Sequence, residues 1–528
     1  MANEKPDLTP QDREWLSELG ITEAQIITQI EKFKRGPVAM KLIRPARIGD
    51  GILRLEEHQN DNSIACYEKA PASVKFLKFV PASGAATRMF KTLIHFNRHQ
   101  QTITRAEIKE KAALGSKDDQ FLLDFMAGLE NGSFAFCEDL NQALLSQENG
   151  VSLQSLLHQG DYKEILDTLL TEKGLNYGNL PKALIKFHNY PDHSRTAIEE
   201  HLAEGRGYAK NKSGDIYLHL TVPPLFKETI AELLNNVKTH YQGKGEVFHI
   251  DYSLQNPATD TVAVDEDNQL CRDSNKKLIL RPGGHGAVIE NLNTLDGDII
   301  FIKNIDNVVP DHLKAETIRY KKILAGYLLN IQSNVSSFLK RLTTGQVTRS
   351  EITEIATFAT QKLNIPFPDN NPSLMTLQEK TEFLINKLNR PIRVCGMVRN
   401  EGDPGGGPFW VLGEDNTASL QIIENAQIDK TSKTHRDILA NSTHFNPVDL
   451  VCGIKNFRGE KFDLSLFTDP NTYFISEKST AGHTLKALEL PGLWNGAMAN
   501  WITIFIEVPI ITFNPIKTVN DLLRDTHH

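Results

Sequence analysis

Asp306 is the sole carboxylate of FIKNIDN (301–307), where the apolar run GDIIFIKN (297–304) ends in a polar cluster. A strand of buried character would project this carboxylate at its carboxyl end. One aspartate there, with phosphate oxygens and water, is enough to hold a hard divalent ion such as Mg²⁺. Asn304 and Asn307 flank it and could orient it by hydrogen bonds. The alternative is an Asp that caps a helix beginning in PDHLKAETIRY. Two further loops carry chemistry. PASGAATRMFK (81–91) follows the apolar LKFV, and its small residues Ser83, Gly84, Ala85 and Thr87 let backbone N–H groups approach an anion. A following helix N-terminus adds its dipole, and Arg88 and Lys91 add positive charge, which is a way to hold a triphosphate. It is neither a P-loop nor a GxGxxG, and a plain strand-to-helix turn with exposed Arg and Lys is the alternative. RPGGHGAVIENL (281–292) sets Gly283, Gly284 and Gly286 around His285, so that backbone can lie against a flat base or a sugar. A tight turn with a solvated histidine is the competing reading.

These loops need strands to present them. After a polar, helix-patterned stretch at 92–180, the chain alternates ALIKFHNY, helix SRTAIEEHLAEG, DIYLHLTVP, helix LFKETIAELLNNVKTHY and EVFHIDYSLQ. Such alternation is the signature of βαβ units and a mainly parallel sheet, and ligands of open α/β sheets sit outside the strands' carboxyl ends. The fold class expected is α/β: a Rossmann-like, mixed, mainly parallel sheet with helical insertions. The organisation follows as an N-terminal helical segment (1–75), a nucleotide-binding core (76–311) interrupted at 92–180, a second helical insertion (312–390), and a strand-rich part (391–528) that completes the core.

At 528 residues with 40% hydrophobic and 23% charged residues, the chain can bury a large core. A net charge of −8 removes the electrostatic reason to expect a nucleic-acid backbone as partner. Five cysteines without a CxxC pair suggest neither a disulfide framework nor a zinc site, and fit a reducing cytoplasm. The amino terminus lacks a secretory profile, and WITIFIEVPIITF (501–513) is too short to span a bilayer, so no membrane partner is expected.

In their order, the motifs resemble the UDP-sugar pyrophosphorylase group of sugar nucleotidyltransferases. ASGAATRM (82–89) is similar to that group's AGGxGTRM loop, LPKALIKF (180–187) to its PK pair, and SLQNPATDT (253–261) to its strand-end Gln. RPGGHGA (281–287) resembles its glycine-rich base loop, FIKNIDN its N-[IV]-D-N, and FIEVPIITFNPIKTVNDLL (505–523) its VPRxRFxPVKTxxDLL. SLQIIENAQI (419–428) and THFNPVDLV (443–451) resemble its sugar-binding segments. The resemblance implies a GT-A-like nucleotidyltransferase fold and an Mg²⁺-dependent reaction of a nucleoside triphosphate, preferably UTP, with a sugar 1-phosphate. It also implies roles: Arg88 and Lys91 on the triphosphate, Lys182 and Lys517 on phosphate charge, Asp306 on Mg²⁺. Gln255 with Gly283, Gly284 and His285 would read the base, and Asn304, Glu424 and Asn446 would hold the sugar. Ser83 and Ala86 depart from the group's glycines, and the PK pair is displaced by the helical insertion. The chain also looks like a bacterial family catalogued as a domain of unknown function, through NEGDPGGGPFWV (400–411) and ELPGLWNGAMA (489–499). A catalytically inactive nucleotide-sugar-binding protein and a GT-A glycosyltransferase are the rival functions; the latter would lack its second carboxylate in NIDN.

Overall fold

The computed structural model describes residues 6–99, 104–148, 150–345, 347–367, 375–402, 405–480 and 483–528. Parts of the helical stretches 92–180 and 312–390, and Asp403 and Pro404 of the segment 400–411, therefore lie outside the described residues. The chain forms two compact units. One comprises residues 1–79, 253–302 and 320–510, the other residues 80–252, 303–319 and 511–528.

The first unit is built on strands in the spatial order Arg47–Ile48, Gly51–Leu53, Ile502–Glu507, Ile392–Arg399, Asp449–Gly453, Ile299–Lys303 and Phe76–Pro81. Pairing is parallel between the first four in turn and between the last two, and antiparallel between Ile392–Arg399 and Asp449–Gly453. Ile392 sits opposite Ile502 and Met397 opposite Glu507; Ile299 sits opposite Phe76 and Ile302 opposite Phe79. Strands Ile299–Lys303, Ile392–Arg399 and Ile502–Glu507 are buried almost end to end, which is why they read as unbroken apolar runs rather than alternating ones. The sheet is mixed and mostly parallel, as the alternation of elements implied.

Two smaller sheets complete this unit. Leu42–Pro45, Gly407–Leu412 and Ala418–Ile423 pair antiparallel over a core of Leu42, Phe409, Val411 and Ile423. Leu280–Arg281, Thr261–Val264, His483–Glu489 and Phe474–Thr480 form the other, and helices Pro10–Glu18 and Glu23–Arg35 bury Leu16, Ile26 and Phe33 against it. Segment 1–75 is thus more than helical. Leu42–Pro45 and Gly51–Leu53 are short strands, held extended by pairing with Gly407–Leu412 and Ile502–Glu507 far along the chain. Helices Lys314–Thr343, Arg349–Leu363 and Leu377–Leu388 occupy the second helical stretch.

In the second unit, six helices lie between Lys91 and Leu170 among the described residues. They are followed by the hairpin Lys186–Asn189 with Ser194–Thr196, helix Ala197–Tyr208, strand Asp215–Thr221, helix Lys227–Tyr241 and strand Val247–Ser253. The chain passes from the first unit to the second after Phe79, Ile302 and Ile510, each near the carboxyl end of a parallel strand. Among the described residues, no helix is long and apolar enough to cross a membrane.

Candidate active site

The turn after Ile299–Lys303 places Asp306 inside the second unit. The next helical turn begins at Asp311 with Pro310 at its cap position, so Asp306 caps no helix. Its carboxylate is about nine-tenths buried, with side-chain exposure of 10%. Lys182 Nζ donates to Asp306 Oδ2 at 2.8 Å, and Lys517 Nζ donates to the same oxygen at 3.2 Å. Lys182 also donates to the Ile516 carbonyl at 2.8 Å and is as buried as Asp306, whereas Lys517 is 54% exposed. Burial alone would push the Asp306 carboxyl up; the ammonium groups of Lys517 and Lys182 outweigh it and hold it below its ordinary value. Two cations on one carboxylate leave a local excess of positive charge, half of it open to an incoming anion.

Four stretches of chain are laced together to make this arrangement. Lys182 N–H donates to the Gly84 carbonyl at 3.1 Å and Ala86 N–H to the Leu180 carbonyl at 3.0 Å, so the first loop and the Pro181–Lys182 pair lie against each other. Ile516 N–H donates to the Asp306 carbonyl at 2.9 Å, and Asn514 N–H to Asn307 Oδ1 at 2.9 Å. Asn307 therefore holds the C-terminal segment rather than the carboxylate. Val519 N–H reaches the Met89 carbonyl at 3.1 Å, and Asp521 Oδ2 accepts from the N–H groups of Lys517 and Thr518 at 2.8 and 2.7 Å. This last contact is a cap that fixes the backbone from which Lys517 projects. The displaced PK pair is thus brought back to the loop from which the largely helical stretch 92–180 separates it.

Within the first loop Ala86 is buried, while Gly84, Ala85, Thr87, Arg88 and Lys91 are exposed and Ser83 is half-buried. A Cβ on Gly84 would meet nothing within 4 Å, so the loop faces open space there. Asn304 is half-buried, and its carbonyl accepts from Asn307 N–H at 3.2 Å.

The remaining candidates belong to the first unit. His285 Nδ1 accepts from Leu493 N–H at 3.2 Å, so the neutral ring carries its proton on Nε2, which lies 3.5 Å from Glu424 Oε1. The ring stacks on Trp494 at 4.3 Å between centroids and 17° between planes. Gly283 must be glycine because a Cβ would sit 2.5 Å from the Thr259 carbonyl, and Gly284 has φ of +74°. Gln255 Nε2 is buried without a hydrogen-bond partner. Asn446 is buried and both ends of its amide serve the backbone: Nδ2 donates to the Gly396 carbonyl at 3.3 Å and Oδ1 accepts from Val448 N–H at 3.0 Å. Trp494 had no motif to single it out beyond its place in ELPGLWNGAMA.

Asp306 Oδ1 is buried and without a hydrogen-bond partner, so one carboxylate oxygen keeps its lone pairs for a ligand. Among the described residues, no three His, Cys, Asp or Glu side chains cluster as a metal cage. A single carboxylate oxygen suits Mg²⁺, which keeps most of its waters and takes phosphate oxygens from substrate.

A family model described as a domain of unknown function (DUF4301) matches residues 9–528. No curated protein matches the chain. Among solved structures, a UDP-glucose pyrophosphorylase from Leishmania major in complex with UDP-glucose aligns over 98% of this chain and 79% of its own, at 12% identity and a TM-score of 0.42. A UDP-glucose phosphorylase from Trypanosoma brucei aligns over 97% and 77%, at 12% identity and 0.43. The uridine diphosphate N-acetylglucosamine pyrophosphorylase of Trypanosoma brucei, in complex with inhibitor, aligns over 98% and 79%, at 10% identity and 0.46. Similarity at these scores does not fix an activity, which has to be argued from the site.

Proposed function

We propose that the chain, which belongs to the family described as domain of unknown function DUF4301, is a sugar-1-phosphate nucleotidyltransferase that converts a nucleoside triphosphate and a sugar 1-phosphate to a nucleoside diphosphate sugar and pyrophosphate. The observation that carries this reading is the meeting of Lys182 and Lys517 on one oxygen of Asp306. Three segments whose motifs resemble those of sugar nucleotidyltransferases thereby build one cationic site around one carboxylate.

An oxygen of the sugar phosphate attacks the α-phosphorus of the triphosphate in line. The bond from that phosphorus to the β-bridging oxygen breaks, and pyrophosphate leaves with the electron pair. A phosphate monoester has a second pKa of about 6, so the nucleophile is already largely dianionic at neutral pH and needs no protein base. The work left to the protein is positioning and charge neutralisation. Half-exposed Lys517 meets the phosphate charge at the reacting centre, and buried Lys182 is held ready behind it. Exposed Arg88 and Lys91, on the loop that Lys182 N–H anchors, take the outer phosphates. Mg²⁺, held by Asp306 Oδ1, would supply further neutralisation of phosphate oxygens. The motif resemblance would assign the base, with UTP preferred, to Gln255 and the 283–285 loop, and a sugar hydroxyl to Glu424.

A second reading is a nucleotide-sugar-binding protein without turnover, and the observation in its favour is Ser83 and Ala86 where the resembling group has glycines. Pyrophosphate release with Mg²⁺, a panel of nucleoside triphosphates and a panel of sugar 1-phosphates separates the two. Release by wild type that falls in Lys517→Ala supports the transferase. Tight binding of one nucleotide-sugar with no release for any substrate pair would establish the binding protein instead.

A further inference from the structure

Helix Ala197–Tyr208 is buried on nearly every side yet carries Glu199, Glu200, His201 and Glu204. A carboxylate taken out of water must be paired, or the cost of its desolvation is not offset. The partners of three of these residues fall on the loop that carries Asp306 or on the strand and helix ends that flank it. Glu204 pairs with Lys303 at 2.7 Å. His201 Nε2 lies 3.2 Å from the Ile305 carbonyl. Glu200 Oε2 pairs with Lys314, whose Nζ also donates to the Val309 carbonyl at 2.7 Å and to Asp311 Oδ1 at 2.9 Å. The loop is therefore gripped on both sides of Asp306 by one face of one helix.

The other oxygen of Glu200 leads elsewhere. Oε1 accepts from Tyr190 OH at 2.8 Å and from His188 Nδ1 at 2.9 Å. An ionised carboxylate only accepts, so His188 carries its proton on Nδ1 and offers Nε2 as acceptor. That nitrogen lies 3.0 Å from Nδ1 of His527, which donates; the two rings stack with centroids 5.2 Å apart and planes 14° apart. His527 lies in the same segment, 511–528, that bears Lys517. That segment is seated on helix Lys117–Glu130, where Asn520 Nδ2 donates to the Phe121 carbonyl at 2.8 Å and a Cβ on Gly128 would stand 2.6 Å from Leu523.

We propose that Glu200 is a positioning residue for the candidate active site, which joins the Asp306 loop through Lys314 and the Lys517 segment through His188 and His527, and that the His188–His527 contact is a latch that releases the Lys517 segment when it is protonated. Glu200, Lys314, Arg195, Arg524 and His528 are the charged or titratable groups that act on the two rings, and Tyr190 and Asp311 complete the cluster. Burial pushes His527 down to about 3, and lowers His188 despite Glu200, so both rings are neutral when latched. The kinetic part of the test rests on the nucleotidyltransferase reading, and the structural part does not.

The test is hydrogen exchange by mass spectrometry on peptides covering 511–528, whose Ile516 and Val519 amides are bonded to the carbonyls of Asp306 and Met89. His527→Phe keeps a stacked ring and removes the donor. At pH 7.5 it should lower protection of 511–528 at least tenfold and leave 197–208 within twofold, with pyrophosphate release slowed at least tenfold in kcat. Wild type moved to pH 5.5 should show the same loss, and the variant no further one; Glu200→Gln should behave as His527→Phe does. Unchanged protection of 511–528 in His527→Phe, or an equal loss over 197–208, overturns the proposal. If Glu200→Gln does not fold, His527→Phe and the wild-type pH series decide. Absence of pyrophosphate release in wild type defeats the transferase reading and leaves the exchange result to judge the latch.

Discussion

Lys182 and Lys517, 335 residues apart by their numbers, donate to a single oxygen of Asp306 at 2.8 and 3.2 Å. Their environments differ. Lys182 is enclosed and has a second bond to the Ile516 carbonyl, while Lys517 is half in solvent. One ammonium is thus a fixed part of the site and the other is free to turn toward a substrate, and mutation should separate these two parts.

Lys517→Ala removes an exposed cation and leaves Asp306 paired with Lys182. We expect an unfolding free energy within about 1 kcal/mol of wild type, as for other exposed ion pairs. Pyrophosphate release should fall by about 10²–10³ in kcat, the size of effect seen when one preorganised electrostatic donor is lost. Turnover within threefold of wild type would remove Lys517 from the site.

Lys182→Met strips the buried partner from a buried carboxylate. Breaking a buried pair from one side costs up to about 3–5 kcal/mol, and the loss is smaller here because half-exposed Lys517 still donates to Asp306. Urea unfolding should register that loss, and Lys182→Met combined with Asp306→Asn should recover part of it. A stability change of the single variant no larger than that of Lys517→Ala would show that Lys182 is not the buried anchor.

Removal of divalent ions with a chelator should abolish pyrophosphate release, and Mg²⁺ should restore it. In Asp306→Asn the Mg²⁺ concentration for half-maximal rate should rise at least tenfold, since the neutral amide is a poorer ligand for a hard cation. An unchanged Mg²⁺ requirement would mean that the ion is carried by the nucleotide alone.

Stability should rise with pH between about 4 and 7. His188 and His527 have native pKa values below the unfolded value near 6.5. Below pH 6.5 the unfolded chain binds protons that the native state refuses. Each such imidazole then removes about 1.4 kcal/mol per pH unit until its native pKa is reached. Against the opposing effect of burial, Asp306, lowered by Lys517 and Lys182, and Glu200, lowered by the hydrogen bond from His188 and by Lys314, add a second loss beginning only below about pH 4. Urea midpoints measured from pH 4 to 8 would show a plateau above 7 and a decline below 6.5; a flat profile from 7 to 5 would contradict the buried neutral pair.

In the first unit Lys321 pairs with Asp449, both wholly buried. Lys321→Met should destabilise by about 3–5 kcal/mol, and the double variant with Asp449→Val should regain most of it, because an apolar pair needs no desolvation to be offset. Equal losses for single and double variants would show that the pair's contribution is packing rather than charge.

The βαβ alternation, the helical character of 92–180 and the loops at strand ends could be read from the sequence, because helix period, apolar runs and turn residues are properties of a few adjacent residues. The order of the motifs, from ASGAATRM to NPIKT, likewise needed nothing but the chain itself. What the sequence left open is how charges far apart in number become neighbours. That Asp306 caps no helix and takes two ammonium groups follows from backbone bonds between Ile516 and Asp306 and between Lys182 and Gly84. The strands within 42–53 and the His188–His527 stack arise in the same way, from pairing across hundreds of residues. The physical reason is that whether a lysine or histidine is buried, and against what, depends on loops closed and water expelled by the whole fold, and no local pattern of residue types records that.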